Sequence, residues 1–198
     1  MLLSLETSSS LGSWALFQNR ELIDSASFRG RASSALFQSL ASSRHPISQQ
    51  ALTQILIGVG PGSFSGIRVA IATAQGLAQV TQARLIPIRS SSALAWKHQK
   101  IAKLGIFADA KRNQTFLTRY QLGTLLEPSH LIPNSERASQ ALDCDLALSP
   151  DPLPGIPQHE PPSACDLARF FFHHQQEPDL TLEPIYLHPA IVPMISLK

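Results

Sequence analysis

The chain has 198 residues, 43% of them apolar and only 15% charged, with a net charge of +2. That length allows one large or two small domains burying about 70% of the unfolded surface, and the apolar fraction excludes a disordered chain. Two cysteines, Cys144 and Cys165, are too few and too distant for a disulfide framework or a Cys-x-x-Cys site, and the basic residues are scattered singly or in pairs such as Lys111-Arg112, which argues against strong direct RNA binding.

In chain order, residues 2–5, 11–17 and 22–28 read as a meander of three strands, with Asn19-Arg20 where a short hairpin turn belongs. Ser33 or Ser34 is expected to cap a helix carrying Leu36, Phe37 and Leu40 on one side, and Pro46 ends that region. The run Ile55-Leu56-Ile57-Gly58-Val59 before a glycine-rich loop reads as a buried parallel strand. After the loop, Ile67, Ala70, Ile71, Ala74, Leu77 and Ala78 recur at helical spacing and predict the strongest helix. Leu85-Ile86-Pro87-Ile88 is the next strand, residues 90–100 the next helix, and residues 105–108 the start of another strand. Three strands, helix, strand, helix, strand, helix is the half-repeat of the actin-like ATPase fold, with a ribonuclease-H-like relative as the alternative.

A boundary between residues 103 and 104 is expected to divide an N-terminal subdomain (1–103) from a shortened C-terminal one (104–198). The second half opens in the same way, with Ile106-Phe107-Ala108-Asp109 and a hairpin over 115–121, and then degenerates. Twelve of the fifteen prolines lie at or after Pro128, and six of them fall within residues 149–162, so that stretch reads as a loop. A capped helix over 166–174 and an extended tail at 184–187 finish the chain. The fold expected is α/β and actin-like, with a mixed five-stranded sheet in the N-terminal half and an abbreviated second half.

Gly58-Val59-Gly60-Pro61-Gly62-Ser63-Phe64-Ser65-Gly66-Ile67-Arg68 joins a strand to a helix. Free amides at a helix start can hold an anion, so a phosphate cradle is one reading; a tight turn seating the helix on the sheet is the other. No Gly-Lys-Ser/Thr follows, so the loop is not a Walker A motif, and Phe64 stands where a nucleophile elbow needs Ser. Ala70, Ala72, Ala74, Gly76 and Ala78 place small side chains on several faces of the following helix. They suit either close core packing or contact with a second chain. None of the seven histidines has a partner at His-x-x-x-His spacing, and adjacent His173 and His174 would point about 100° apart on a helix, so no metal site is expected.

The segment Gly60 to Arg68, continuing to Ala74-Gln75-Gly76-Leu77-Ala78, resembles the signature of the TsaB (YeaZ) family, Gly-Pro-Gly-Ser-Phe-Thr-Gly-x-Arg followed by Ala-Gln-Gly-Leu-Ala. Leu5-Glu6-Thr7-Ser8 resembles the family's opening Ile-Asp-Thr-Ser, Ser90 to Leu94 its Val-Ser-Ser-Leu, Ala108 to Arg112 its Asp-Ala-Arg-Arg, and Pro184-Ile185-Tyr186-Leu187 its closing Pro-x-Tyr-Leu-Arg.

The resemblance implies an actin-like fold and a non-catalytic role as partner and scaffold. The catalytic subunit would be of TsaD type, transferring a threonylcarbamoyl group onto a tRNA adenosine. A TsaE-type ATPase, self-association, and tRNA contact only through the complex are further implications. The interface it implies lies on the first two helices, at Leu36, Phe37, Leu40, Ile67, Ala70, Ile71, Ala74 and Leu77. Candidate phosphate or nucleotide contacts are Glu6, Thr7, Gly60, Gly62, Ser63 and Lys111, with Asp109, Lys111 and Arg112 as charged groups at a strand end. No cofactor of its own is expected, although nucleotide could sit at a shared interface.

The chain departs from the family at Glu6, where Asp is usual, and at Ala32, where a histidine is usual. Its second half has only Gly105, Gly123 and Gly155, too few to build an adenosine-binding loop. These departures point away from autonomous ATP hydrolysis. The alternative is an autonomous phosphotransferase or glycopeptidase-like hydrolase of the same superfamily. The N-terminus lacks a basic region, and residues 67–80, the longest near-apolar run, contain Thr73 and Gln75 and are too short for a bilayer, so a cytoplasmic protein is expected.

Overall fold

Strands β1 (Leu2–Glu6) and β2 (Leu11–Gln18) are buried on both faces, because helices cover both sides of the sheet they centre. With β3 (Glu21–Arg29), β4 (Gln54–Gly58) and β5 (Arg84–Ile88) they form a five-stranded sheet in the order β3-β2-β1-β4-β5. The first three strands run antiparallel, and β4 and β5 are added in parallel, each after a helical crossover. The computed structural model describes residues 1–45, 52–174 and 180–185; Pro46, Tyr186, Leu187 and His188 lie outside them.

Side-chain alternation divides the core in two. Leu3, Leu5, Trp14, Leu16, Ile55 and Ile57 face α1 (Ala32–Ala41) and α2 (Phe64–Thr81). Leu2, Ala15, Phe17, Leu56 and Ile86 face the opposite way, against α5 (Ala164–His174). The expected turn at Asn19-Arg20 is present, with both residues left-handed at φ 51° and 69°. The cap of α1 differs from expectation. Gly30, at φ 110°, turns the chain directly after β3, so Arg31 takes the cap position and Ser33 and Ser34 fall inside the first turn. There the Ser34 hydroxyl donates back to the Arg31 carbonyl at 3.3 Å. Toward the other end of the chain, the Ser163 hydroxyl caps α5 by accepting the Asp166 amide at 3.0 Å, so the helix begins slightly before the expected residue 166.

A second five-stranded sheet contains β6 (Leu104–Lys111), β7 (Gln114–Gln121), β8 (Thr124–Pro133), β9 (Leu146–Ser149) and β10 (Gln158–His159). Its order, β10-β9-β6-β7-β8, repeats that of the first sheet strand for strand, with the same parallel and antiparallel pairings. The short α4 (Arg137–Leu142) stands where α1 stands in the first half. The second crossover has no helix, because the proline-rich segment takes its place. The second half is therefore abbreviated by one helix while keeping its sheet. The expected loop at 149–162 does contain one paired piece, β10, held on a single side at the sheet edge where nearby prolines are tolerated.

Helix α3 (Ser90–Lys97) lies between the sheets, with residues 90–95 all buried. Ala93 packs with the first sheet, while Leu94 and Ala95 pack with Leu104, Ile106, Tyr120 and Leu148 of the second. The helix stops at Lys97 rather than reaching residue 100: His98 leaves helical geometry, and its carbonyl accepts the Ile101 amide at 2.9 Å. Lys97 and His98 both reach Glu160, His98 at 2.9 Å. No helix among the described residues is long and apolar enough to cross a membrane.

The Tyr120 hydroxyl meets Ser91 Oγ at 2.8 Å and Ser92 Oγ at 3.3 Å inside this junction. Tyr120→Phe should lower stability by about 1 kcal/mol and the melting temperature by about 2–4 °C. An unchanged midpoint in thermal unfolding would show that these hydroxyls do not hold the sheets together.

Candidate functional site

Where β1 and β4 end, two loops press backbone against backbone. The Ser63 amide donates to the Ser8 carbonyl at 2.7 Å, and Thr7 Oγ1 donates to the Gly66 carbonyl at 2.8 Å. A Cβ on Gly62 would stand 2.2 Å from the Ser8 carbonyl oxygen, and one on Gly66 would stand 2.1 Å from that of Thr7. These two glycines are required by close approach. The Gly60 amide is taken by Ser90 Oγ at 3.0 Å, and the Gly66 amide by Ser63 Oγ at 3.3 Å. Three amides a phosphate cradle would use, at Gly60, Ser63 and Gly66, are thus engaged inside the chain, which supports the tight-turn reading of the loop.

Glu6 is fully buried beneath this junction and does not line the cleft described below. Its Oε1 accepts the Ser8 amide at 2.7 Å, while Oε2 has no hydrogen-bond partner and faces Gly58, where a Cβ would stand only 2.0 Å away. Burial pushes the carboxyl above its ordinary value of 4.5, and the neighbouring Ser8, Ser90 and Thr7 groups offset only part of that. Thr7 is buried as well. Both residues brace loops, and Thr7 also borders a separate, smaller cavity beside Ser9, Ser10 and Arg31.

Between the junction and the second sheet lies a cleft of about 680 Å³. Its walls are the start of α2, the β6–β7 turn, residues 150–153, and Pro184 with Ile185. Of the six candidate phosphate or nucleotide contacts, Gly62, Ser63 and Lys111 line it, whereas Glu6, Thr7 and Gly60 do not. Asp109 binds Lys111 twice, through the backbone amide at 2.8 Å and the ammonium at 2.5 Å. Burial pushes Asp109 up, but these bonds from Lys111 outweigh it and hold the carboxyl below its ordinary value of 3.8.

One residue that pattern reading missed is Arg137, buried behind the cleft. It donates to Thr115 Oγ1 at 2.9 Å and to the Pro154 carbonyl at 2.7 Å, tying the proline loop to β7. A lone arginine in a short helix carries no signal of such a role. Among the described residues, no three of His, Cys, Asp and Glu converge closely enough to hold a metal ion.

The expected interface residues need a correction. Leu36, Ile67, Ala70, Ile71 and Ala74 are buried against the first sheet and cannot touch another chain directly. The reason is the phase of the helices: this stripe faces the sheet, and the small side chains let α2 sit close to it. Leu40 and Leu77 are half-buried, and only Phe37, 57% exposed, faces solvent freely. The outer face of α2 instead presents Ser65, Arg68, Ala72, Gln75, Gly76 and Gln79, bracketed by exposed Phe64 and Val80. Arg68 lies over the Phe64 ring at 5.3 Å.

Two substitutions test this construction. Gly66→Ala should cost about 1–3 kcal/mol, read as a lower urea midpoint, because backbone blocks the new methyl. Glu6→Gln tests the buried carboxyl. A raised folded-state pKa means the folded chain holds the proton longer, so this contribution is full below about pH 4.5 and is lost as pH rises through the raised value. The Gln variant should therefore gain stability relative to the parent as pH rises from 4.5 through the raised value. A constant difference across that range would refute the assignment.

Comparison with known proteins bears on what this site serves. Residues 30–128, half of the chain, match the family model described as TsaD, tRNA N6-adenosine threonylcarbamoyltransferase. No curated protein matches. Among solved structures, YeaZ from Pseudomonas aeruginosa superposes with a TM-score of 0.74 at 23% identity, covering 94% of this chain and 99% of that one. A protein described as uncharacterized, with similarity to peptidase YeaZ from Pseudomonas aeruginosa, superposes at 0.70, also with 23% identity and coverage of 94% and 99%. The structural likeness fixes the actin-like fold, and the matched model, spanning half of the chain, places the chain in the TsaD/glycoprotease-like family, with a Gly60–Arg68 signature similar to that of TsaB (YeaZ) proteins.

Proposed function

We propose that this chain is a non-catalytic partner subunit of the tRNA threonylcarbamoyladenosine machinery, binding and activating a TsaD-type catalytic subunit. The observation that carries this reading is the use of the glycine-rich loop. Its amides at Gly60, Ser63 and Gly66 are engaged within the chain, so the segment most like a phosphate cradle acts as a brace for α2. What the brace holds in place is a helix face almost free of charge, with small residues at Ala72 and Gly76 between the exposed apolar groups Phe64 and Val80. Among the described residues, nothing crowds a side chain added at Gly76.

A face of this kind suits a close helix–helix contact. The partner would be a TsaD-type subunit, or a second copy of this chain when alone, and exposed Phe37 on α1 would extend the contact. A TsaE-type ATPase and tRNA would then be met through the assembly, in the cytoplasm. The chain would need no cofactor of its own, and nucleotide would bind only at a shared surface. The competing reading, an autonomous phosphotransferase or hydrolase, draws on the cleft and its Asp109–Lys111 pair.

Light scattering after size exclusion, on this chain mixed with a TsaD-type subunit from the same source, tests the proposal. Ala72→Arg should leave stability within about 0.5 kcal/mol and weaken the complex at least about tenfold. Ala74→Arg, by contrast, should unfold the chain, because Ala74 lies in the core. Two separate peaks from the parent proteins, together with ATP turnover by the isolated chain, would favour the enzyme instead.

A further inference from the structure

Glu6 ends β1 with none of its surface exposed. Several elements converge on it: Ser13 lies opposite on β2, Gly58 on β4, Ser90 at the start of α3, and Thr7 and Ser8 in the loop that follows. Helix α5 reaches the same place, its Ala164 amide donating to Ser13 Oγ at 2.9 Å. None of these neighbours carries a charge. The titratable groups nearest to them in sequence are Arg89, Cys165 and Asp166. Burial pushes the Cys165 thiol up and keeps it neutral, and Asp166 is bonded to Ser163 Oγ and to Arg169. Of the two Glu6 oxygens, Oε1 accepts the Ser8 amide at 2.7 Å, and Oε2 has no hydrogen-bond partner among the described residues.

Sealing a carboxylate away from water with one bonded oxygen and no cation costs far more than sealing the neutral acid. The closed junction therefore favours the protonated form, and ionisation calls for water or further donors. Ser8 links the carboxyl to the loop before α2. Its amide binds Glu6 while its carbonyl accepts the Ser63 amide at 2.7 Å, and the adjoining Thr7 Oγ1 donates to the Gly66 carbonyl at 2.8 Å. Backbone fills the space beside Gly62 and Gly66, so residues 7 and 8 cannot shift without moving that loop. A change of charge on one side chain is thereby transmitted to a helix start.

We infer that Glu6 is a proton-dependent latch on the start of α2: the neutral acid keeps residues 7–8 closed on residues 62–66, and the carboxylate opens them. The latch belongs to the isolated chain. That it would loosen the outer face of α2, and with it partner binding, rests on the function proposed above; the latch is tested without a partner, so the two fail separately. The sign follows from the raised carboxyl. The closed state binds the proton more tightly than the open one, so closure is strongest below the ordinary value of 4.5 and is lost as pH rises through the raised value.

Hydrogen exchange of the full chain, followed by mass spectrometry from about pH 5 to 7.5 and corrected for the intrinsic exchange rate, measures opening directly. Over residues 59–70 the opening constant should rise by up to about tenfold per pH unit, since opening releases one proton, and the β7 segment 114–121 should show no such rise. Glu6→Gln should abolish the slope. A Glu6 carboxyl carbon-13 resonance that titrates with the same midpoint ties the slope to this group even if the variant fails to fold. A flat profile over 59–70, an equal slope over 114–121, or a slope that persists in Glu6→Gln overturns the inference.

Discussion

The contact on which the rest depends is the backbone-to-backbone packing of residues 7–8 against the Gly62–Gly66 loop. Carbonyl oxygens of Thr7 and Ser8 stand where a side chain on either glycine would have to be. That approach holds the end of β1, the end of β4 and the start of α2 together, and Ser90 ties in the start of α3 through Gly60. Placing a carboxyl beneath it has a desolvation cost, offset in part by the Ser8 amide, and it needs the space that Gly58 leaves open. A loop built this way is stiff, and its stiffness fixes where α2 points.

The two halves of the molecule are the same topological statement made twice, with different lengths. In the first, both crossovers are helical, and α1 and α2 cover one face of the sheet. In the second, α4 is short and the proline-rich segment replaces the other helix, since prolines cannot supply the amides a helix needs. Arg137 offsets that loss by binding the Pro154 carbonyl. The chain then returns: α5 packs on the first sheet, where the Ser13 hydroxyl accepts the Ala164 amide at 2.9 Å, and Ile185 donates to the Val59 carbonyl at 2.9 Å. Segments late in the sequence thereby complete the core of the early half.

Helix α2 illustrates why a stripe of small residues is ambiguous before a fold is known. Ala70 and Ala74 are small because the sheet lies beneath them, whereas Ala72 and Gly76 are small on a face with open space outside it. The same composition thus serves an internal contact and leaves an external one available. Likewise α3 has little amphipathic pattern because sheets flank it on two sides, so its serines are buried, Ser91 and Ser92 bonded to Tyr120 and Ser90 to the Gly60 amide.

Local patterns alone determined much of this protein. Runs of β-compatible and apolar residues placed the strands of the first sheet, the 3.6-residue period placed α2, the prolines marked the irregular crossover, and the Gly60–Arg68 motif carried the family resemblance. These are short-range signals, in which a residue's neighbours in sequence decide its backbone. Only tertiary structure decided which face of each helix is covered, that Glu6 is sealed under a loop while Lys111 reaches a cleft, and that α5 belongs to the first sheet. It also laid the Arg20 guanidinium, from the β2–β3 turn, over the Phe172 ring of α5. Burial and long-range pairing depend on what the whole chain packs against, and no window of neighbouring residues contains that information.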